Sequence, residues 1–458
     1  MKIIICGAGQ VGWQIARQLS GESNDVAIVD NNPVLVRRAT DALEVQGVVG
    51  FASHPNVLAE AGAAEADMII AATHSDEVNM VTCQVAHSVF DVTRKIARLR
   101  AQAYLDPEFR ELFGREHMPV DVVINPEHEV ARAALRRFAA PSTFDVQDFL
   151  DGSVRLAGIS LDADCPVLNT PLRQLTELFS SLKAIVVGVR RGGKLFSPDP
   201  GDQLFEGDQI YVVSETSDLG RTLAIFGKPL AKQERVVVIG AGNVGLTVAR
   251  ALENQPERVR VKVIERDRTR AETAADLLER TIVLHGDGMD SDLLAEAGIA
   301  RADAVLAVTD DDKTNLLTAV RAKALGCKIS IALVNDPSLV PLLDHLGIDA
   351  HINPRATTVS SILRHVRHGR VRSIYTIGDG EAEVIEAQVL STSPLAGRAI
   401  SNIGFPEGAL VGAVRKRGVF VKPTGSTELE EGDHLVIFAL SKDVPEIERL
   451  LQVAVEYF

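Results

Sequence analysis

Apolar and polar positions along this chain follow two alternating periods. Short continuous apolar runs lie at Met1–Cys6, Asp25–Val29, Val45–Val49, Met68–Ala71, Lys95–Leu99 and Val122–Ile124. Between them the apolar residues recur at three- and four-residue spacing. This happens over Gln10–Ser20, from Pro33 after a cap at Asn31 or Asn32, over Asn56–Ala61 and Glu77–Phe90, and from Pro126 through Phe138. Continuous apolar runs between amphipathic helices predict a parallel sheet covered on both faces.

From about Pro141 the texture changes. Val154–Ser160, Ala184–Arg190, Lys194–Ser197 and Gln209–Ser214 read as strands, with Gly192-Gly193 as a hairpin turn. One short helix is expected near Leu172–Phe179, and the module ends near Phe226. Gly227-Lys228-Pro229 reads as a linker.

The pattern then starts again. Leu58-Ala59-Glu60-Ala61-Gly62 returns as Leu294-Ala295-Glu296-Ala297-Gly298, and Ile124-Asn125-Pro126 as Ile352-Asn353-Pro354. Thr73 matches Thr309, Asn79 matches Asn315, and Gly207-Asp208 matches Gly432-Asp433. The expected order is A-B-A′-B′. A first α/β domain spans 1–140 and a small α+β module spans 141–226. A linker covers 227–234, a second α/β domain 235–370 and a second module 371–458.

Both α/β domains open with the same phrase. A strand runs into Gly7-Ala8-Gly9-Gln10-Val11-Gly12 in the first and into Gly240-Ala241-Gly242-Asn243-Val244-Gly245 in the second. In such a Gly-x-Gly-x-x-Gly turn the first glycine makes the tight turn. The second lets a pyrophosphate approach the backbone, and the third lets the helix pack on the strand. A chain with 35 glycines would hold about 0.2 such matches by chance; this one holds two, each between a strand and a helix. Each is followed by an acid at the end of the second strand, Asp30 and Glu265. That carboxylate can accept ribose hydroxyls and repels a 2′-phosphate, favouring NAD(H), ATP or ADP over NADP(H); at the second site Arg266 beside Glu265 blurs this preference. The fold class is therefore two Rossmann-type doubly wound parallel-sheet domains, each followed by a small α+β module.

Composition narrows the function. The net charge of −14 and the 4% aromatic content argue against nucleic acid or bare anionic lipid as partner. No run of about 18 apolar residues is present to span a membrane. The N-terminus enters a strand directly, so no signal peptide is expected. Cys6, Cys83, Cys165 and Cys327 are scattered and read as reduced structural thiols of a cytosolic protein.

Other candidates carry alternatives. Thr73-His74 and Thr309-Asp310 end the fourth strands, facing the ligand crevice of an open parallel sheet. Thr, Ser75 and the Asp310–Asp312 run also read as plain helix caps. Arg98 and Arg100 close the fifth strand, within reach of a phosphate or of adenine. Leu333 and Asn335 stand near that place in the second half. His365 and His368 have helical spacing but sit among Arg364, Arg367, Arg370 and Arg372, which disfavours a cation. No metal site is expected. Neither small module offers an acid/base, nucleophile or paired-carboxylate constellation, so the nucleotide reads as a signal rather than a reactant. An NAD-dependent oxidoreductase, resting on the glycine loops alone, is the alternative.

With these motifs the whole chain resembles the TrkA family, cytosolic regulatory subunits of bacterial Trk potassium uptake systems built from RCK (KTN) domains. The resemblance implies a peripheral protein on the cytoplasmic face of the inner membrane. It would join a Trk-type potassium-translocating membrane subunit, assemble as a homotetrameric ring, and bias the channel when NAD(H), ATP or ADP binds. It implies nucleotide contacts at Gly7–Val11, Asp30, Thr73, His74 and Arg98, then at Gly240–Val244 and Glu265, with Thr309 matching Thr73. Asp287 stands near the acid usual after the third strand; the first half has Phe51 there, which cannot accept a hydrogen bond from adenine.

Overall fold

A computed structural model describes residues 1–21, 24–230, 234–255, 259–343, 345–366, 371–378 and 380–451. The first α/β domain contains β1 (Lys2–Cys6), α1 (Gln10–Ser20), β2 (Asp25–Asp30), α2 (Pro33–Ala42), β3 (Gln46–Val49) and α3 (Pro55–Glu60). It continues with β4 (Met68–Ala71), α4 (Asp76–Phe90), β5 (Arg94–Arg98), β6 (Val122–Ile124) and α5 (Pro126–Ala139). All six strands are parallel, in the order β3-β2-β1-β4-β5-β6. The order reverses between β1 and β4, which opens a crevice at the strand ends where the glycine loop sits. Asn32 caps α2 by accepting the Val34 N–H, with Pro33 at the first helical position.

The first small module holds β7 (Asp145–Phe149), β8 (Val154–Ser160), α6 (Leu172–Leu178), β9 (Ala184–Arg191), β10 (Lys194–Phe196), β11 (Gln209–Glu215) and α7 (Leu219–Ile225). Its antiparallel sheet runs β10-β9-β11-β8-β7. Two elements correct the expectation from sequence. Strand β7 was not anticipated, because Asp-Val-Gln-Asp-Phe has only two apolar residues and lies at a sheet edge. Helix α7 is a second helix where one was expected. Its seven residues are too few for periodicity to show, and Leu219 and Leu223 hold it on the sheet.

The second α/β domain repeats the first with β12 (Arg235–Ile239), α8 (Asn243–Glu253), β13 (Arg260–Glu265), α9 (Arg268–Leu277), β14 (Ile282–His285) and α10 (Ser291–Ala297). Then come β15 (Ala304–Ala307), α11 (Asp312–Ala324), β16 (Ile329–Leu333), β17 (Ala350–Ile352) and α12 (Pro354–Leu363). Its strand order, β14-β13-β12-β15-β16-β17, matches the first. The second module has β18 (Val371–Ile377), β19 (Ala382–Gln388), β20 (Arg398–Ala399), β21 (Ala409–Lys416), β22 (Val419–Val421), β23 (Glu428–Leu429), β24 (His434–Leu440) and α13 (Val444–Leu451). Its main sheet runs β18-β19-β24-β21-β22, the order of the first module.

Like pairs with like. The chain forms two compact units, 1–135 with 234–366 and 136–233 with 367–458. In the first, Ile15 and Leu19 of α1 share a core with Val359 and Ile362 of α12. An ion pair at 3.0 Å joins Arg364 to Glu129. In the second, Leu156, Val187 and Val213 of one module pack with Val384, Ala413 and Phe438 of the other. Gly188 and Gly412 permit that approach: a Cβ on Gly188 would lie 2.9 Å from the Phe438 ring, and one on Gly412 2.8 Å from Val213. Glu386 accepts the Leu150 N–H at 2.8 Å, and Tyr375 donates to Asp145 at 2.7 Å.

Candidate nucleotide sites

Each glycine of the first loop meets a different environment. Gly7 has φ +109°, and a Cβ there would lie 2.9 Å from the Ala72 carbonyl oxygen and 3.2 Å from the Thr73 Cα. Gly12 would place a Cβ 1.8 Å from the Gly7 carbonyl oxygen, so only glycine lets α1 start that close to the turn. At Gly9 a Cβ meets nothing within 4 Å. Packing explains Gly7 and Gly12; it does not explain Gly9, whose missing side chain leaves room for a ligand to approach the backbone. The second loop repeats this: Gly240 at φ +99°, open space at Gly242, and a Cβ of Gly245 at 1.9 Å from the Gly240 oxygen.

Both helices that leave these loops begin without a side-chain cap and without an acid in the first turn. Their first N–H groups point out at the positive end of the helix dipole, an environment suited to phosphate oxygens. Gln10 and Asn243 are exposed there, while Val11 and Val244 are half-buried.

The acids at the ends of β2 and β13 hold the loops. Asp30 accepts the Ala8 N–H at 2.7 Å on Oδ2 and the Asn32 N–H at 2.8 Å on Oδ1. Glu265 accepts the Ala241 N–H at 2.6 Å on Oε2 and the Asp267 N–H at 2.8 Å on Oε1. Both Asp30 oxygens and Glu265 Oε2 keep a lone pair for a ribose hydroxyl. The two differ in access: Asp30 is half-buried, whereas Glu265 is 4% exposed with Arg270 at 3.3 Å from Oε1.

Thr73 and Thr309 stand against Gly7 and Gly240, but neither caps a helix. Ser75 caps α4 and Asp311 caps α11. Each threonine hydroxyl instead donates at 2.7 Å to the side-chain oxygen of a buried asparagine, Asn79 or Asn315. The same asparagines donate to the carbonyls that end the fifth strands, Arg98 at 2.7 Å and Leu333 at 2.9 Å. The sequence showed this Thr-x5-Asn repeat without revealing its task, which is to lock the mouths of two adjacent strands together. His74 follows Thr73 as an exposed side chain.

Of the Asp310–Asp312 run, Asp311 and Asp312 are absorbed by helix and loop hydrogen bonds, and Asp310 is exposed. Asp312 accepts the N–H groups of Asn335 and Asp336, as Asp76 accepts those of Arg100 and Ala101. Among the described residues no group of three His, Cys, Asp or Glu could hold a metal. His365 is half-buried beside Arg364 and Arg94, and desolvation followed by that positive charge lowers its pKa. Its sequence companions His368, Arg367 and Arg370 lie outside the described residues. All four cysteines are buried and free, and burial pushes the Cys83 thiol up to about 12.

Two features distinguish the first site. Arg98 points one guanidinium N–H at the Thr73 carbonyl at 3.3 Å, while its Nε is buried without a partner. Burial and then Arg100 lower its pKa. Its counterpart is the buried Leu333. Phe51 is 52% exposed, with its ring 5.4 Å from that of His54. Gly50 donates to the Asp30 carbonyl at 2.9 Å, and Phe51 follows it in the chain. In the second site Gly286 donates to the Glu265 carbonyl at 2.8 Å, and Asp287 follows, accepting the Met289 N–H.

The TrkA-N domain model matches residues 3–126 and 236–354, and the TrkA-C domain model matches 156–227 and 384–452. The Trk system potassium uptake protein TrkA of Azorhizobium caulinodans is 48% identical over 458 residues, covering 100% of both chains. Among solved structures, the GsuK RCK domain aligns with a TM-score of 0.57 at 19% identity, over 98% of this chain and 94% of that one. The GsuK channel bound to NAD aligns with the same TM-score and identity, over 98% and 78%. These two carry the fold: tandem Rossmann-like domains with antiparallel modules. By the family models and the full-length relative, the chain belongs to the TrkA family of Trk system potassium uptake proteins.

Proposed function

We propose that this chain is a nucleotide-sensing regulatory subunit, not a catalyst, of a Trk-type potassium uptake system. It acts at the cytoplasmic face of the inner membrane through a potassium-translocating membrane partner. Among the described residues no helix is long and apolar enough to cross a membrane. The observation that carries the reading is the open space at Gly9 and Gly242, beside uncapped helix starts and an acid.

Gly7–Val11, Asp30, Thr73, His74 and Arg98 hold one nucleotide; Gly240–Val244, Glu265, Asp287 and Thr309 hold the other. NAD(H), ATP or ADP suits both, since each acid repels a 2′-phosphate. Arg98 supplies the first site with a cation whose Nε lacks a partner, and Asp287 supplies the second with an acceptor for adenine.

The chain acts as a homotetrameric ring formed through the α/β domains. Val81 and Val89 of α4 are exposed, and so are Leu317 of α11 and Leu325 just after it, at the matching places of the repeat. Binding gates the partner if it favours one ring conformation over another; a coupling of about 1–3 kcal/mol suffices. The test is potassium uptake in cells lacking the chain, complemented by wild type or by Gly9→Ala plus Gly242→Ala. Wild type is expected to restore regulated uptake and the double variant to fail. Normal uptake without the chain would sink the reading.

A further inference from the structure

The paired small modules form a half-open cavity of about 170 Å³ that the glycine loops do not line. Leu172, Phe179 and Ile225 of the first module and Leu410 of the second wall it. The first three pack on their module's core yet stay partly exposed, as apolar side chains facing a void do. A cavity of this size accommodates a group the size of benzene.

One cation stands in this apolar wall. Lys422, just after β22, is half-buried, and its Nζ donates to the Leu182 carbonyl at 3.2 Å. Among the described residues no carboxylate pairs with it. Burial alone lowers its pKa, so the ammonium is held at a cost that an anion would relieve. Arg173 and Asp199 stand exposed at the rim.

The duplicated fold does not repeat this lining. The repeat partner of Lys422 is Ser197, the residue after β10 as Lys422 is after β22. The place of α6 is taken in the second module by a short 3-10 turn, Ile400–Asn402.

We propose that this cavity binds a small monocarboxylate with a compact apolar body, its apolar part filling the void and its carboxylate facing the Lys422 ammonium. Because the wall draws on both modules, such a ligand ties one module to the other. It would be an input separate from the glycine loops.

The test is isothermal titration and thermal unfolding of the full chain with phenylacetate and with hexanoate, using 2-phenylethanol as the uncharged control. Saturable binding of at least one acid is expected, with a raised unfolding midpoint. Affinity should fall at least about tenfold for 2-phenylethanol and for Lys422→Gln, stay within about threefold in Lys422→Arg, and vanish in Ala184→Leu, which fills the void. Absence of saturable binding by either acid overturns the proposal. So does equal affinity for 2-phenylethanol, or unchanged affinity in Lys422→Gln, a change outside the core that keeps the fold even if Ala184→Leu does not.

Discussion

Asp30 accepts the Ala8 N–H at 2.7 Å, so the acid at the end of β2 shapes the glycine loop before any ligand arrives. Glu265 does the same for Ala241 at 2.6 Å. The acid expected to read a ribose is thus also the clasp that presets the loop for phosphate.

Removing that clasp costs stability as well as affinity. Asp30→Ala is expected to lower unfolding stability by about 1–3 kcal/mol, the loss of two hydrogen bonds to a charged group. Glu265→Ala should cost more, because Glu265 is buried where Asp30 is only half-buried, so the hydrogen bonds it abandons lie deeper. Urea unfolding of the two variants checks the order; an undiminished midpoint in both would contradict it.

The three glycines should separate fold from ligand. Gly9→Ala meets open space, so stability is expected within about 1 kcal/mol of wild type, while nucleotide affinity at the first site falls. Gly12→Ala drives a Cβ into the Gly7 carbonyl and is expected to destabilise by at least about 3 kcal/mol. Thermal unfolding with and without nucleotide distinguishes the two. A Gly9→Ala protein that binds normally would show that the space serves no ligand.

Arg98→Leu imports the side chain that the second site carries at Leu333. The fold tolerates that residue type in the duplicate, so little loss of stability is expected. Affinity of the first site for ATP should drop about tenfold or more, with loss of a charge-assisted contact. Titration at two salt concentrations checks this. Unchanged affinity would mean that Arg98 serves only the Thr73 carbonyl.

The repeated Gly-Asp of the small modules gives a pH prediction. Asp208 is buried. Burial alone would raise its pKa, but the Arg191 guanidinium at 2.7–2.8 Å and the Phe205 N–H outweigh it and hold the carboxyl below its ordinary value. Folding therefore favours the ionised form. Its contribution is present above about pH 4, the ordinary carboxylate value, and is lost as pH falls through the lower folded-state value. Asp208→Asn is expected to cost about 2–4 kcal/mol at pH 7, and the gap to wild type should narrow below about pH 4. Denaturation across pH 3–7 checks it; a gap that widens on acidification would contradict it.

Much of the architecture was legible because it is written in local patterns. The strand, glycine loop and helix of each α/β domain lie within twenty residues, and the repeats fixed their number. What escaped depends on distance or on polar side chains. No offset in the sequence says that α1 packs on α12, since the duplicate supplies two chemically similar candidates for every surface. Asn79 and Asn315 showed in the sequence only as a matched pair of the repeat, yet each is fully buried because it joins two strand ends. The Arg270 contact that covers Glu265, and the cavity beside Lys422, exist only once the chain is folded.

The most direct measurement is titration of NADH and of ATP into the purified full chain and into Gly9→Ala, Gly242→Ala and the double variant. Two non-equivalent sites are expected in the wild type, since Phe51 and Arg98 mark one and Asp287 and Arg270 the other. One site should be lost in each single variant and both in the double. Absence of binding in the wild type, undiminished binding in the double variant, or equal affinities at both sites for both nucleotides would contradict it.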